Sequence, residues 1–167
     1  CKQSPDFICL SKGITGGFMP LSVVLTKDEI YNAFYAPYSE QKAFLHSHSY
    51  TGNTLACAAA NAVLDIFENE NILEKNQILS TFIQQEFSKL KKFDFLGNFR
   101  TCGMISAFDI LSHKHERVGF FVFQKALKKG LLLRPLANTI YFMPPYIITK
   151  EQIVYVVESL EQIFKEF

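Results

Sequence analysis

The sequence lacks tryptophan, long apolar runs and an excess of either charge. A membrane-spanning helix needs roughly 18 consecutive apolar residues, and no run in this chain approaches that length, so no membrane partner is expected. The 17 basic and 16 acidic side chains almost cancel and the lysines are scattered, which argues against nucleic acid as a partner. The first residues also lack the features of a signal peptide. These absences favour a cytoplasmic protein.

The chain has few cysteines, and none of them forms a CxxC pair. Cys1, Cys9, Cys57 and Cys102 are far apart in the sequence. This spacing argues against a zinc site or a disulfide framework, so no bound metal is expected. Three of the four lie among apolar or small residues, which predicts reduced thiols buried in the fold.

The sequence contains enough hydrophobic residues to form a substantial core. Hydrophobic residues make up 49% of the 167 residues, and this length is typical of one ordinary domain. No internal repeat is visible. Segments typical of strands alternate with segments typical of helices, and this order predicts an α/β fold.

The first half of the chain predicts two strands and two helices. Residues 7–10 are expected to form a short buried strand and residues 21–25 a second one. The stretch from Thr26 to Glu29 has the form of a capping box, with threonine at the cap and glutamate three residues later. The helix that follows is expected to end at Pro37, and a longer alanine-rich helix is expected over residues 54–69.

The second half predicts a small α/β layer. Helices are expected where apolar residues recur at intervals of three and four, and Thr149 with Gln152 forms another capping box before the last helix. Gly103 would permit a bend in a strand. The expected strands are 99–110, 131–133 and 139–143, the last two paired. The expected helices are 72–92, 118–129 and the segment after Thr149. The last of these helices is expected to turn its apolar residues inward, namely Ile153, Val156, Val157, Leu160, Ile163 and Phe164.

Lys12 is an unusual residue for the end of a buried strand. It is followed by Gly13 and by the pair Gly16 and Gly17, and glycines let backbone or a ligand approach closely. Burial disfavours the charged form of an amine, and such an amine can form a Schiff base with a carbonyl compound such as pyridoxal phosphate. The alternative, which spacing alone favours, is a solvated loop lysine.

The stretch from His46 to Asn53 places hydroxyls, imidazoles and a glycine directly before the alanine-rich helix. A helix N-terminus offers unpaired N–H groups and the positive end of the helix dipole, which favour phosphate. Ser49 and Thr51 could complete such a site. The alternative is an ordinary helix cap made by Asn53 or Thr51.

Arg134 lies between two apolar segments. An unpaired charge in such a place is costly, so the guanidinium needs a carboxylate. Its planar fork suits bidentate contact with the carboxylate of a ligand. The alternative is a salt bridge within the protein, to an acid such as Asp109 or Glu116.

These signals, taken in order, resemble the class III pyridoxal-phosphate aminotransferases of fold type I. Three stretches carry the resemblance, namely residues 5–17, residues 46–58, and Arg134-Pro135 followed by residues 140–146. The first two are shared widely across the class. The third narrows the resemblance to the branch that acts in biotin synthesis. The similarity extends over essentially all 167 residues.

The resemblance implies pyridoxal 5′-phosphate as the cofactor and gives roles to three residues. Lys12 matches the Schiff-base lysine, which is the catalytic residue. Ser49 falls where the family usually has a threonine that holds the cofactor phosphate across a dimer interface, and the hydroxyl is retained. His48, in the same stretch, is expected to contact the cofactor.

The resemblance also implies the substrates. Arg134 matches the arginine that binds the carboxylate of the keto substrate, 8-amino-7-oxononanoate, and Tyr141 matches a tyrosine of the same pocket. Ser47 replaces a common glycine and is expected to contact substrate. The amino donor in this branch is usually S-adenosylmethionine, and some relatives use lysine.

Finally, the resemblance implies a domain organisation. Residues 1–70 correspond to the end of the large cofactor-binding domain and residues 71–167 to the small C-terminal domain. The chain is therefore expected to be the C-terminal part of a homodimeric enzyme with active sites at the interface, and the acid that pairs with the pyridine nitrogen is expected before Cys1. Two alternatives stay open: a class III enzyme of the acetylornithine or diamine type, and an inactive fragment from a split gene.

Overall fold

The computed structural model describes residues 3–167, which divide into two compact units. The N-terminal unit runs to Glu70, and the C-terminal unit is Asn71–Phe167. Both units combine helices with antiparallel strands. The predicted α/β fold class is confirmed.

The N-terminal unit is built from one hairpin-like sheet and two helices. Strands β1 (Phe7–Leu10) and β2 (Val23–Thr26) are antiparallel, with Ile8 opposite Leu25. Helix α1 is Asp28–Asn32 and helix α2 is Thr54–Asn69. The alanines of α2 allow close packing, and Ala56 is fully buried.

Three expectations for this unit are wrong. Strand β1 is not buried: all four of its residues are exposed, and Phe7 keeps 57% of its surface, because a sheet of two strands covers neither of its own faces. The capping box at Thr26 does not form, since its hydroxyl donates to the backbone oxygen of Asp6 at 3.0 Å. Helix α1 is also shorter than expected, because it ends at Asn32, well before Pro37.

The C-terminal unit is a three-stranded antiparallel sheet with helices on one face. Its strands are β3 (Leu96–Cys102), β4 (Ile105–Ile110) and β5 (Thr139–Phe142), in the order β3-β4-β5. Its helices are α3 (Ile72–Ser88), α4 (Val118–Lys128) and α5 (Lys150–Phe164). Phe108 and Ile140 point toward these helices and are almost completely buried.

The opposite side of the sheet, called the outer face below, carries the alternate residues of the strands. Ala107 and Asp109 of β4 lie there, opposite Tyr141 and Thr139 of β5. Because side chains alternate along a strand, burying Phe108 on one face turns these residues to the other. The outer face therefore carries the polar pair Asp109 and Thr139.

The strand predictions for this unit need correction, whereas its final helix is confirmed. Residues 99–110 are two strands joined at Gly103, whose φ of +55° suits glycine. Residues 131–133 form no strand, and β5 pairs with β4 instead. The capping box of Thr149 and Gln152 is present, and all six predicted inward residues of α5 are buried.

The thiols of Cys9, Cys57 and Cys102 are free but exposed, so the predicted burial is wrong for these three.

Candidate active site

Lys12 begins a short 3-10 turn, Lys12–Thr15, directly after β1. Its φ is +54°, in the left-handed region. A residue with a β-carbon pays roughly 1–2 kcal/mol for that conformation, and strain of this kind is often found at functional sites. The side chain is exposed in the described chain, so the burial predicted for it is not observed.

Ser47, His48 and Ser49 lie together in one exposed loop. The loop is held by its own hydrogen bonds: the His48 N–H donates to the Thr51 hydroxyl at 3.0 Å, and the Tyr50 N–H donates to Nδ1 of His48 at 3.1 Å. Within residues 3–167, neither serine hydroxyl has a hydrogen-bond partner. The turn therefore presents two hydroxyls that are available to a ligand.

The start of α2 is closed by Asn53 rather than open to an anion. The Asn53 carboxamide oxygen accepts from the N–H groups of Leu55 at 3.1 Å and Ala56 at 3.3 Å. The alternative of an ordinary cap is thereby confirmed for Asn53, while Thr51 has the different role just described. Because two N–H groups at the start of α2 are already occupied, the unpartnered hydroxyl of Ser49 is more available to a ligand than the helix N-terminus is.

Arg134 lies at a cavity of about 680 Å³ between the start of α4 and the loop that leads into β5. Within residues 3–167, no carboxylate forms an ion pair with its guanidinium. Arg117 and Glu116 line the same cavity. An exposed guanidinium that lies at a cavity and forms no ion pair is suited to binding a carboxylate from solution.

The alternative of a salt bridge between Arg134 and Asp109 is wrong, because Asp109 pairs with Arg100. Its carboxylate instead accepts from Arg100 at 3.0 Å, from the Thr139 hydroxyl at 2.7 Å and from Asn98 at 3.0 Å. The hydrogen bond from Arg100, followed by those from Thr139 and Asn98, lowers the pKa of Asp109 from 3.8 to about 2. Asp109 is therefore ionised at neutral pH.

Tyr141 is half-buried on the outer face of the C-terminal unit, opposite Ala107. The role predicted for Tyr141 stays a prediction. No signal in the sequence points to Arg100, because Arg100 becomes a neighbour of Asp109 only through the hairpin of β3 and β4. That hairpin contains a register irregularity between Gly97 and Arg100. No local pattern in the sequence indicates such an irregularity.

In the part of the chain that the structure describes, no helix is both long enough and apolar enough to span a membrane.

Comparison with known proteins places the chain in a family. The family model for class III aminotransferases matches residues 1–164. The adenosylmethionine-8-amino-7-oxononanoate aminotransferase of Helicobacter pylori is 58% identical over 99% of this chain, which covers 39% of that protein. The protein of the same name from Methanocaldococcus jannaschii is 39% identical over 98% of this chain and 37% of its own length.

The solved structures agree with the sequence relatives. The crystal structure of the M. jannaschii enzyme has a TM-score of 0.88 and 38% identity, over 98% of this chain and 39% of that one. Acetylornithine aminotransferase from Elizabethkingia anophelis has a TM-score of 0.83 and 29% identity, over 99% of this chain and 42% of that one. The chain spans about two fifths of the length of the curated relatives it matches. On the family match and these identities, the chain belongs to the class III aminotransferases.

Proposed function

We propose that the complete enzyme transfers an amino group to 8-amino-7-oxononanoate in biotin synthesis, with S-adenosylmethionine as the donor. The observation that carries the proposal is Arg134, a guanidinium at a cavity of about 680 Å³ without a carboxylate partner among residues 3–167. The names of the relatives, at up to 58% identity, support this choice of substrate.

The residues of the N-terminal unit fit pyridoxal phosphate as the proposed cofactor. The group would supply an electron sink for the carbanion formed at the donor's α-carbon. Lys12 offers an exposed amine on strained backbone for covalent attachment, and the released amine would move the proton at that carbon. Ser49 offers a hydroxyl without an internal partner for the phosphate, and the remaining nitrogen of His48 is available beside it.

In the C-terminal unit, Arg134 would bind the far carboxylate of the keto acid through two parallel hydrogen bonds. Tyr141 and Ser47 would also contact substrate. The carboxylate contact fixes one end of the substrate, so the keto group at the other end is held in a defined position for reaction.

We also propose that the enzyme is a homodimer. Aromatic residues of the N-terminal unit, Phe7, Tyr31, Phe34, Tyr35 and Phe44, are exposed around a groove of about 520 Å³. A contiguous apolar surface of this kind is typical of a contact with more protein. Dissociation of the dimer should release the cofactor, because the family places the residue matching Ser49 across the interface.

The substrate proposal is tested by replacing Arg134 in the complete enzyme. Arg134→Ala is expected to raise KM for the keto acid about 10- to 100-fold, the loss of a hydrogen-bonded charge pair of about 1.5–3 kcal/mol. Arg134→Lys should not restore KM, because an ammonium lacks the planar fork. The half-reaction with the amino donor should change much less, as measured by rapid mixing.

Two comparisons make this test specific. Arg117→Ala removes another guanidinium from the same cavity, one that lies 4.9 Å from the ring centroid of Phe120, and should leave KM nearly unchanged. An analogue of the keto acid without its carboxylate should bind wild type and Arg134→Ala alike. Equal slowing of both half-reactions with a lower melting temperature would mark Arg134 as structural. A preference for acetylornithine would favour the alternative enzyme type.

The cofactor proposal is tested at Ser49. Ser49→Ala is expected to weaken pyridoxal phosphate binding by about 1–3 kcal/mol, the loss of one hydrogen bond to a charged group. Ser49→Thr keeps the hydroxyl and should bind nearly as wild type does. Equilibrium dialysis of the cofactor measures both variants. Equal affinity in Ser49→Ala and wild type would show that Ser49 only shapes its loop.

A further inference from the structure

Three side chains, those of Arg100, Thr139 and Asn98, surround Asp109 on the outer face. One carboxylate oxygen accepts from Arg100 and Thr139, and the other accepts from Asn98. The Asp109 side chain is only 17% exposed. The three hydrogen bonds come from within the C-terminal unit, and these partners keep Asp109 ionised.

Thr139 connects this network to the turn that follows Arg134. Its backbone N–H donates to the carbonyl of Leu136 at 2.8 Å, and its carbonyl accepts from the Leu136 N–H at 3.0 Å. Between them, Ala137 has a φ of +52°. Since a residue with a β-carbon adopts that conformation at a cost, the turn over residues 136–139 persists only while its ends are held.

A second attachment fixes the middle of the same turn. The Ile110 N–H donates to the Asn138 carbonyl at 2.9 Å, and the Asn138 amide donates back to the Ile110 carbonyl at 3.0 Å. Asp109 therefore accepts a hydrogen bond from the Thr139 side chain, and the backbone of the next residue, Ile110, is hydrogen-bonded to Asn138. The turn is held against the end of β4 at two adjacent points.

We propose that Asp109 and Thr139 are positioning residues. They hold the turn over residues 136–139 and so keep Arg134 in the position from which it binds the carboxylate of the substrate. The substrate part of this inference rests on the proposed function. Only Pro135 separates Arg134 from the turn, and the φ of proline is fixed. A shift of the turn should therefore displace the backbone of Arg134 as well. Neither Asp109 nor Thr139 needs to touch the substrate.

The test uses a matched pair of substitutions in the complete enzyme. Thr139→Val keeps the shape but removes the hydroxyl, and Thr139→Ser keeps the hydroxyl. In Thr139→Val, amide hydrogen exchange at Leu136 and Thr139 should accelerate about tenfold, and KM for the keto acid should rise about tenfold, as expected when a hydrogen bond to a charged group is lost. The donor half-reaction should stay within about twofold, and Thr139→Ser should restore both values.

Glu161→Gln is the control for a general loss of stability. Glu161 is a carboxylate of the same unit with 19% of its side chain exposed, paired with Lys92 at 2.7 Å. Its replacement should alter neither the exchange at the turn nor KM. Asp109→Asn, which keeps the size of the side chain, should reproduce the effects of Thr139→Val.

The outcomes separate the two proposals. Unchanged exchange at the turn in Thr139→Val overturns the positioning role, and so does faster exchange with an unchanged KM. A wild-type enzyme that does not use the keto acid overturns the proposed substrate. In that case the exchange rates alone decide whether Asp109 and Thr139 hold the turn.

Discussion

Lys12→Ala is expected to abolish amino transfer in the complete enzyme, with a loss of at least about 10⁴-fold, because under the proposed function the same amine would attach the cofactor and move the proton. Borohydride reduction of the wild-type holoenzyme followed by peptide mapping should place the cofactor label on Lys12. The visible absorbance of the holoenzyme should disappear on reduction. Label on another lysine of an active enzyme would end the assignment.

The backbone of Lys12 adds a test that does not depend on activity. Lys12→Gly should be as inactive as Lys12→Ala but more stable by about 1 kcal/mol, because glycine adopts a φ of +54° without strain. Denaturant unfolding of the two variants measures the difference. Equal stability would mean that the conformation at residue 12 is not strained.

Lys27→Ala is the matched control, because it also removes one lysine charge from the N-terminal unit. Lys27 is a lysine of the same unit whose ammonium pairs with Asp6 at 2.7 Å. Its loss should leave turnover and cofactor labelling intact, since an exposed ion pair contributes at most about 1 kcal/mol to stability. A large loss of activity in this control would indicate that Lys12→Ala also acts through damage to the fold.

Gly119→Ala is expected to destabilise the protein by about 3 kcal/mol, at the upper end of the overpacking range. Gly119 lies in the first turn of α4, and a β-carbon there would be 2.1 Å from the backbone oxygen of Ala137 and 2.9 Å from Cβ of Pro135. Neither is the free end of a flexible side chain, so a shift of backbone is required, and we expect it in the turn after Arg134. KM for the keto acid should rise together with the loss of stability.

Chemical denaturation and steady-state kinetics of the complete enzyme measure both effects of Gly119→Ala. Gln124→Ala, an exposed position on the same helix, should change the free energy of unfolding by no more than about 0.5 kcal/mol. A Gly119→Ala enzyme with wild-type stability would show that α4 can move away from the turn. The shift of the turn expected for Gly119→Ala would then be wrong.

Local sequence signals were sufficient for the elements whose cause is local. The alanine-rich run before Asn69 predicted α2 with the observed bounds, and the capping box at Thr149 with its apolar stripe predicted α5. Helix caps and helical periodicity act over a few residues, so they can be read from the sequence. The motifs around Lys12 and residues 46–53 likewise indicated the family before any fold was known.

Strand pairing and exposure were not predictable in the same way. Residues 99–110 contain a continuous strand-like pattern, yet they form a hairpin at Gly103. The apolar residues of β1 favoured burial, yet the strand is exposed in a two-stranded sheet. Both outcomes depend on which segments meet in space, and propensity carries no information about that.

By itself, the sequence determined the fold class, the main helices and the family, because these depend on periodicity, caps and short motifs. Only the tertiary structure decided which acid binds which arginine: it paired Asp109 with Arg100 and left Arg134 without an acid among residues 3–167. The physical reason is the strand register. It brings residues distant in sequence within hydrogen-bond reach, and a shift of one residue would turn Asp109 to the other face of the sheet.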